Sequence, residues 1–292
     1  MKLRVPASSA NLGPGFDCFG LAWQLYNEIE FLKSDQLMIS GCPEKYQGPD
    51  NLAYAGFLAA LRAAGQPDAP AEIRFAETQI PVSRGLGSSA ALIAGGVLAA
   101  NALYDLGLSK EEMVTVASGV EGHPDNIAPA ILGGLTASAM VGGKAVSARY
   151  ALSEKLFFTV LIPDFELSTE LARSVLPAQF KKEDAIFNVS RAALLLKGLE
   201  SGDGELVSLG LDDRIHQPYR QKLIPGYDRA RELALGLGAA GFCISGAGST
   251  LLCIARDGAF AGKMAAAMAE EFPAWRVLPV RPETKGAEII NG

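Results

Sequence analysis

Histidine is nearly missing from this sequence: His123 and His216 are the two copies in 292 residues. Cysteine is also sparse, and none of Cys18, Cys42, Cys243 and Cys253 forms a C-x-x-C pair. Together these shortages argue against a zinc site, and a chain this long needs no disulfide framework. The thiols read as buried free cysteines of a reducing compartment. Basic residues are outnumbered, 26 against 32 acidic, for a formal charge of −6. That balance argues against a nucleic-acid partner, which would select a basic face. Phosphate binding stays open, because backbone N–H groups and local charges supply it. No apolar run follows the basic Lys2 and Arg4, so no signal peptide is expected. The uncharged stretch 85–104 is long enough to span a bilayer. It contains Ser88, Ser89, Asn101 and four glycines, and reads instead as a loop feeding a buried helix. The expectation is a cytoplasmic enzyme with no membrane and no nucleic-acid partner.

Hydrophobic residues make up 49% of the chain, ample for a core. Alternation predicts strands at 3–5, 27–32, 36–40, 72–77 and 135–141, and a short apolar run another at 156–162. Three more are expected at 242–245, 250–255 and 276–281. Asn51 caps a helix to about residue 64, and Ser109 with Glu112 forms a capping box for a helix ending near Glu121. Further helices are expected at 88–106, 169–175, 184–199, 227–237 and 259–271. Strands and helices mix without strict βαβ alternation, which predicts an α+β fold. Gly142-Gly143 and the polar residues after them mark a candidate boundary, dividing the chain into 1–150 and 151–292.

The segment Pro81-Val82-Ser83-Arg84-Gly85-Leu86-Gly87-Ser88-Ser89-Ala90-Ala91 carries the most chemistry. Its glycines allow close approach of the backbone to a ligand. The serines then open a helix whose free N–H groups and dipole make an anion site, with Arg84 adding charge. Neither a Walker loop nor a Rossmann fingerprint matches the spacing. A second run, from Val5 through Gly13-Pro14-Gly15 to Asp17, reads as a constrained loop after a strand, projecting Asn11 and Asp17. Glu121-Gly122-His123-Pro124-Asp125-Asn126 ends a helix with four polar groups; Glu121 suits Mg²⁺. Ser245-Gly246-Ala247-Gly248-Ser249-Thr250 is a third glycine turn, read as a hairpin. Thr169 and Arg173 lie one helical turn apart and can face one ligand. Arg220 stands in a polar segment, and an arginine suits a carboxylate.

Three glycine motifs in this order resemble the GHMP kinase superfamily, named for galactokinase, homoserine kinase, mevalonate kinase and phosphomevalonate kinase. Ser9-Ala10-Asn11-Leu12-Gly13-Pro14-Gly15-Phe16-Asp17 is similar to the homoserine kinase branch, as are Gly122-His123-Pro124-Asp125-Asn126, Ala172-Arg173 and Arg220. The resemblance implies an N-terminal α+β ATP-binding domain and a ferredoxin-like C-terminal domain, with phosphoryl transfer from ATP to the hydroxyl of L-homoserine between them. It implies ATP on Pro81 to Ala91, with Ser88 (or Ser89) and Glu121 for Mg²⁺. Asn11, Asp17, Asn126, Thr169, Arg173 and Arg220 would hold the acceptor. Asp17 would serve as base or as partner of the ammonium group, with Asn11 and Asn126 orienting the hydroxyl. A homodimer is also implied. Two departures stand out: no lysine lies in the first motif, and Ser249 occupies a position where proline is common in the third. Another small-molecule kinase of the superfamily, or a non-catalytic ATP-binding regulator, remains the alternative.

Overall fold

In the computed structural model, which describes residues 1–290, the N-terminal segment forms two long antiparallel strands. These are β1 (Lys2–Asn11) and β2 (Gly15–Lys33). The run from Val5 onward is therefore mostly strand, and only residues 12–14 make the turn. Small side chains explain the difference. Ala7, Ser8, Ser9 and Ala10 are all fully buried, so neighbours cover both faces of this strand and no polar alternation marks it. β3 (Met38–Ser40) follows, then α1 (Leu52–Ala63), whose cap Asn51 accepts the N–H groups of Ala53 and Tyr54. Next come β4 (Ala71–Thr78), α2 (Ser88–Leu103) and α3 (Lys110–Glu121), which starts with the expected Ser109–Glu112 capping box. The short α4 (Ile127–Leu132) and the hairpin β5 (Leu135–Val141) and β6 (Lys144–Tyr150) complete this half. β6 occupies part of the polar stretch read as a boundary.

The second half runs β7 (Phe157–Ile162), α5 (Thr169–Ser174), α6 (Lys182–Ser201), α7 (Gly204–Gly210), α8 (Gln217–Arg220) and α9 (Tyr227–Gly236). β8 (Ala239–Ile244), β9 (Leu251–Ala255), α10 (Phe260–Glu271), β10 (Arg276–Val280) and β11 (Glu288–Ile290) close it. The first sheet has the order β11-β1-β2-β4-β3, with the β5–β6 hairpin branching from β2; the second has β10-β7-β9-β8. All pairs of the second sheet are antiparallel, and its order matches the ferredoxin-like split βαβ arrangement. Phe158, Val160 and Ile162 of β7 join the core beneath the first sheet, while Leu161 joins a second core under α9 and α10. The second sheet is thus buried on both faces. We propose the division 1–150 and 151–292 as the place where the chain first leaves the first sheet; β11 later returns to it. Among the described residues, no helix is long and apolar enough to cross a membrane.

Candidate active site

A cavity of about 600 Å³ opens where the glycine motifs meet. Its floor is the loop before α2. The carbonyls of Arg84, Gly85 and Leu86 accept from Thr250 N–H, Ser245 Oγ and Ser8 N–H at 3.0, 2.6 and 3.1 Å. In a trans peptide the C=O and the following N–H point opposite ways. Anchoring three successive carbonyls therefore turns the N–H groups of Gly85, Leu86 and Gly87 the other way. Gly87 then caps α2 with φ 70°, and the first-turn amides of Ser88, Ser89 and Ala90 have no carbonyl four residues back within the helix. Donors without internal acceptors, at the positive end of a 16-residue helix, suit a polyphosphate.

Glu121 closes one side of this floor. Ser89 Oγ donates to its Oε2 at 2.6 Å. Burial pushes the Glu121 carboxyl above its ordinary pKa, and the Ser89 hydrogen bond offsets only part of that. A half-buried carboxylate with no nearby cation except His123 is a site short of positive charge, which fits a divalent cation.

At the far end, α5 and α8 bring two arginines together. Arg173 Nη1 and Nη2 donate to Asp17 Oδ2 and Oδ1 at 2.9 and 2.6 Å. Arg220 is fully buried and donates to the carbonyls of Ala172 and Gly246, both at 3.1 Å. Both guanidinium groups lie near the Phe16 ring. Burial, then the charge of Arg173, pull the pKa of Arg220 down to about 10, so it remains protonated at neutral pH. Asp213 fixes the start of α8: its carboxylate accepts the N–H groups of Ile215, His216 and Gln217 and the Asn188 amide. His216 Nε2 in turn donates to the Gly13 carbonyl at 2.7 Å, tying α8 to the turn between β1 and β2. Asn11, just before that turn, and Asp17, two residues into β2, adopt φ of 65° and 54°, and Ser83 in the glycine loop has 53°. Non-glycine residues held in this region cluster at functional sites.

The GHMP kinases N terminal domain model matches residues 51–134, and the GHMP kinases C terminal model matches residues 195–274. The homoserine kinase of Clostridium botulinum (strain Alaska E43 / Type E3) is 39% identical, covering 100% of this chain and 99% of its own. That of Microchaete diplosiphon is 42% identical, covering 100% and 95%. The crystal structure of homoserine kinase from Cytophaga hutchinsonii superposes with a TM-score of 0.87 at 28% identity, covering 99% of this chain and 97% of that one. This chain belongs to the homoserine kinase family. Its α+β architecture is the GHMP kinase fold, shared with a mevalonate kinase from L. major at a TM-score of 0.74 and 16% identity.

Among the residues singled out from the sequence of this homoserine kinase family member, Pro81 to Gly85, Gly87, Ser88 and Ser89 line the cavity, as do Asn11, Glu121, Asn126, Thr169, Arg173 and Arg220. Asp17 stands beside it, reached through Arg173. Leu86, Ala90 and Ala91 are fully buried and support the loop from behind. The Arg84 guanidinium donates to the carbonyls of Pro163 and Asp164, so it also bridges the loop to the segment after β7. Asn126 Oδ1 accepts from Ser8 Oγ at 2.9 Å. Two features escape a reading of the sequence alone. His123 pairs with the buried Asp125 beside Asp17. Burial opposes the charged imidazole, but the hydrogen bond and charge of Asp125 outweigh it and raise the His123 pKa. A mostly apolar wall of Cys42, Pro43, Tyr46, Phe75, Ile80 and Leu92 continues the cavity beyond the glycine loop; no motif marks these residues, since they come from four separate segments.

Proposed function

We propose that this chain transfers the γ-phosphoryl group of ATP to the hydroxyl of L-homoserine, giving ADP and O-phospho-L-homoserine. The observation that carries the reading is the convergence of Arg173 and Arg220, with Asp17 beside them, at one end of a cavity floored by the glycine loop. Two cations and one anion complement an amino-acid zwitterion. A neutral sugar needs no such pair of guanidinium groups.

In this reading the loop amides hold the triphosphate, and the wall around Tyr46 and Phe75 takes the base. Glu121 with the hydroxyl of Ser88 (or Ser89) would hold Mg²⁺, which supplies neutralisation of charge on the phosphates during transfer. The acceptor carboxylate takes the donors of Arg173 and Arg220, and its ammonium takes the Asp17 carboxylate that Arg173 releases. Asn11, Asn126 and Thr169 orient the hydroxyl. With Asp17 engaged by the ammonium group, the hydroxyl proton passes to the transferred phosphoryl group. The enzyme is further proposed to be cytoplasmic and homodimeric; light scattering on the purified protein checks the dimer.

A coupled ADP-release assay across homoserine, mevalonate, galactose and threonine tests the substrate. Homoserine is expected to give the highest kcat/KM; no turnover above background with it overturns the reading.

A further inference from the structure

A chain of hydrogen bonds runs behind the phosphate loop through three fully buried residues, Trp23, Ser9 and Ser245. Trp23 Nε1 lies 2.7 Å from Ser9 Oγ, Ser9 Oγ lies 2.6 Å from Ser245 Oγ, and Ser245 Oγ lies 2.6 Å from the Gly85 carbonyl. Proton counting fixes its direction. The indole N–H only donates and the carbonyl only accepts. The single hydroxyl hydrogen of Ser245 is spent on Gly85, so Ser9 must donate to Ser245, and Ser9 accepts from Trp23. Every link is satisfied and every arrow points toward the loop. Hydrogen bonds aligned in this way polarise one another in a low-dielectric interior.

The terminal carbonyl belongs to the peptide joining Gly85 to Leu86. Gly85, at φ 74°, has the conformational freedom to let this peptide flip. A flip would turn a carbonyl oxygen toward the triphosphate and remove an N–H from that side. The neighbouring peptides are anchored by backbone donors that no side-chain change removes, Thr250 N–H and Ser8 N–H. The Gly85–Leu86 peptide alone of the three depends on a side chain.

We propose that Ser9 and Ser245 are positioning residues for the nucleotide, holding the Gly85–Leu86 peptide in its phosphate-accepting orientation before ATP arrives. The proposal rests on the reading of this loop as the ATP site. It also joins the first and third glycine motifs in one role, since each contributes one hydroxyl to setting the second.

The test combines kinetics with a spectroscopic readout at the far end of the relay. In Ser245→Ala and Ser9→Ala the KM for ATP is expected to rise about tenfold, the worth of roughly one buried hydrogen bond, with the KM for homoserine within about twofold. The protein has two tryptophans, Trp23 and Trp275. In ¹⁵N-indole spectra, assigned with Trp275→Phe, the Trp23 N–H resonance should move downfield when a non-hydrolysable ATP analogue with Mg²⁺ binds the wild-type chain. That movement should vanish in Ser245→Ala. Calorimetry separates the two layers of inference. A wild-type chain that binds no analogue overturns the kinase reading and this proposal with it. Intact binding with an unchanged ATP KM in both variants, or with equal rises in both KM values, overturns the proposal alone. Should the variants not fold, the wild-type spectrum decides, and a Trp23 resonance unmoved by bound nucleotide overturns it.

Discussion

Arg173 and Asp17 face each other as a two-pronged pair, with both carboxylate oxygens accepting from the guanidinium. Each partner is what a zwitterion's opposite end would need, so the two satisfy each other until the acceptor exchanges with them, while Arg220 keeps its positive charge beside them. Arg173→Ala is expected to raise the KM for homoserine about thirty- to hundredfold, the scale of losing a charge-assisted hydrogen bond and stranding its partner. The KM for ATP should stay within about twofold. Arg173→Lys should recover little, because an ammonium cannot reproduce the two parallel bonds. Equal KM changes for both substrates would refute the assignment.

Glu121 is charged at a cost, since burial raises its pKa. A carboxyl whose folded pKa is raised loses stability as pH climbs through that value, and the loss is absent when the group is neutral. Glu121→Gln should therefore lower turnover by about two orders of magnitude or more while raising the Tm of the ligand-free protein. A gain of a few degrees is the size that ~1–2 kcal/mol produces in a chain of this length. Scanning calorimetry and a Mg²⁺ titration of activity check both halves; a lower Tm would contradict this assignment.

Gly85 and Gly87 both adopt left-handed backbone, but they are not equally replaceable. A Cβ on Gly85 would lie 2.2 Å from the Ser245 carbonyl oxygen, which is backbone. On Gly87 the 2.2 Å contact is Ser8 Oγ, the end of a side chain that can rotate. Both substitutions incur about 1 kcal/mol of conformational strain. Gly85→Ala should nonetheless destabilise the protein more and abolish nucleotide binding, whereas Gly87→Ala should retain weakened binding. The reverse order in denaturant melts would be inconsistent with this geometry.

His216 is wholly buried, and burial lowers its pKa despite the nearby Asp213 carboxylate. The unfolded chain then takes up its proton first, so stability is lost as pH falls below about 6.5. His123, with its raised pKa, has the opposite sign: its stabilisation is complete below the unfolded pKa and fades as pH rises through the folded one. Urea melts from about pH 7.5 to 5, a range that brackets the ordinary histidine pKa, should show a smaller acid-side loss in His216→Gln than in the wild type. The same variant should raise the KM for homoserine, because the tie from α8 to Gly13 is weakened. An unaltered acid slope would remove His216 from this role.

The sequence displays those parts of the site that depend on local chemistry. The cap at Asn51, the capping box at Ser109 and Glu112, and the glycine loop before α2 are each written within a few residues. What it hides is set by distant partners. The strand character of Ala7 to Ala10 comes from neighbours on both faces, so no alternation betrays it. β11 is three residues long and makes sense only against β1. The tie from Arg84 to the carbonyls at 163 and 164 lies outside the motif. His123 reads locally as one of four polar groups at a helix end, and the sequence does not show that its partner Asp125 is buried by the fold.

β11 lies against β1, and Arg4 pairs with Glu288 across 284 positions of chain. The edge of the first sheet is therefore covered only after residues 288–290 have been synthesised. While the ribosome is still at work, β1, the strand that carries Ser9 and Asn11, presents unpaired backbone along Lys2 to Arg4 on that side. The loop closure needed is among the longest the chain allows, which favours slow final assembly. A nascent chain would thus spend most of its synthesis with its nucleotide-binding half unfinished, and a stop shortly before residue 288 would leave an adhesive strand edge open to other molecules.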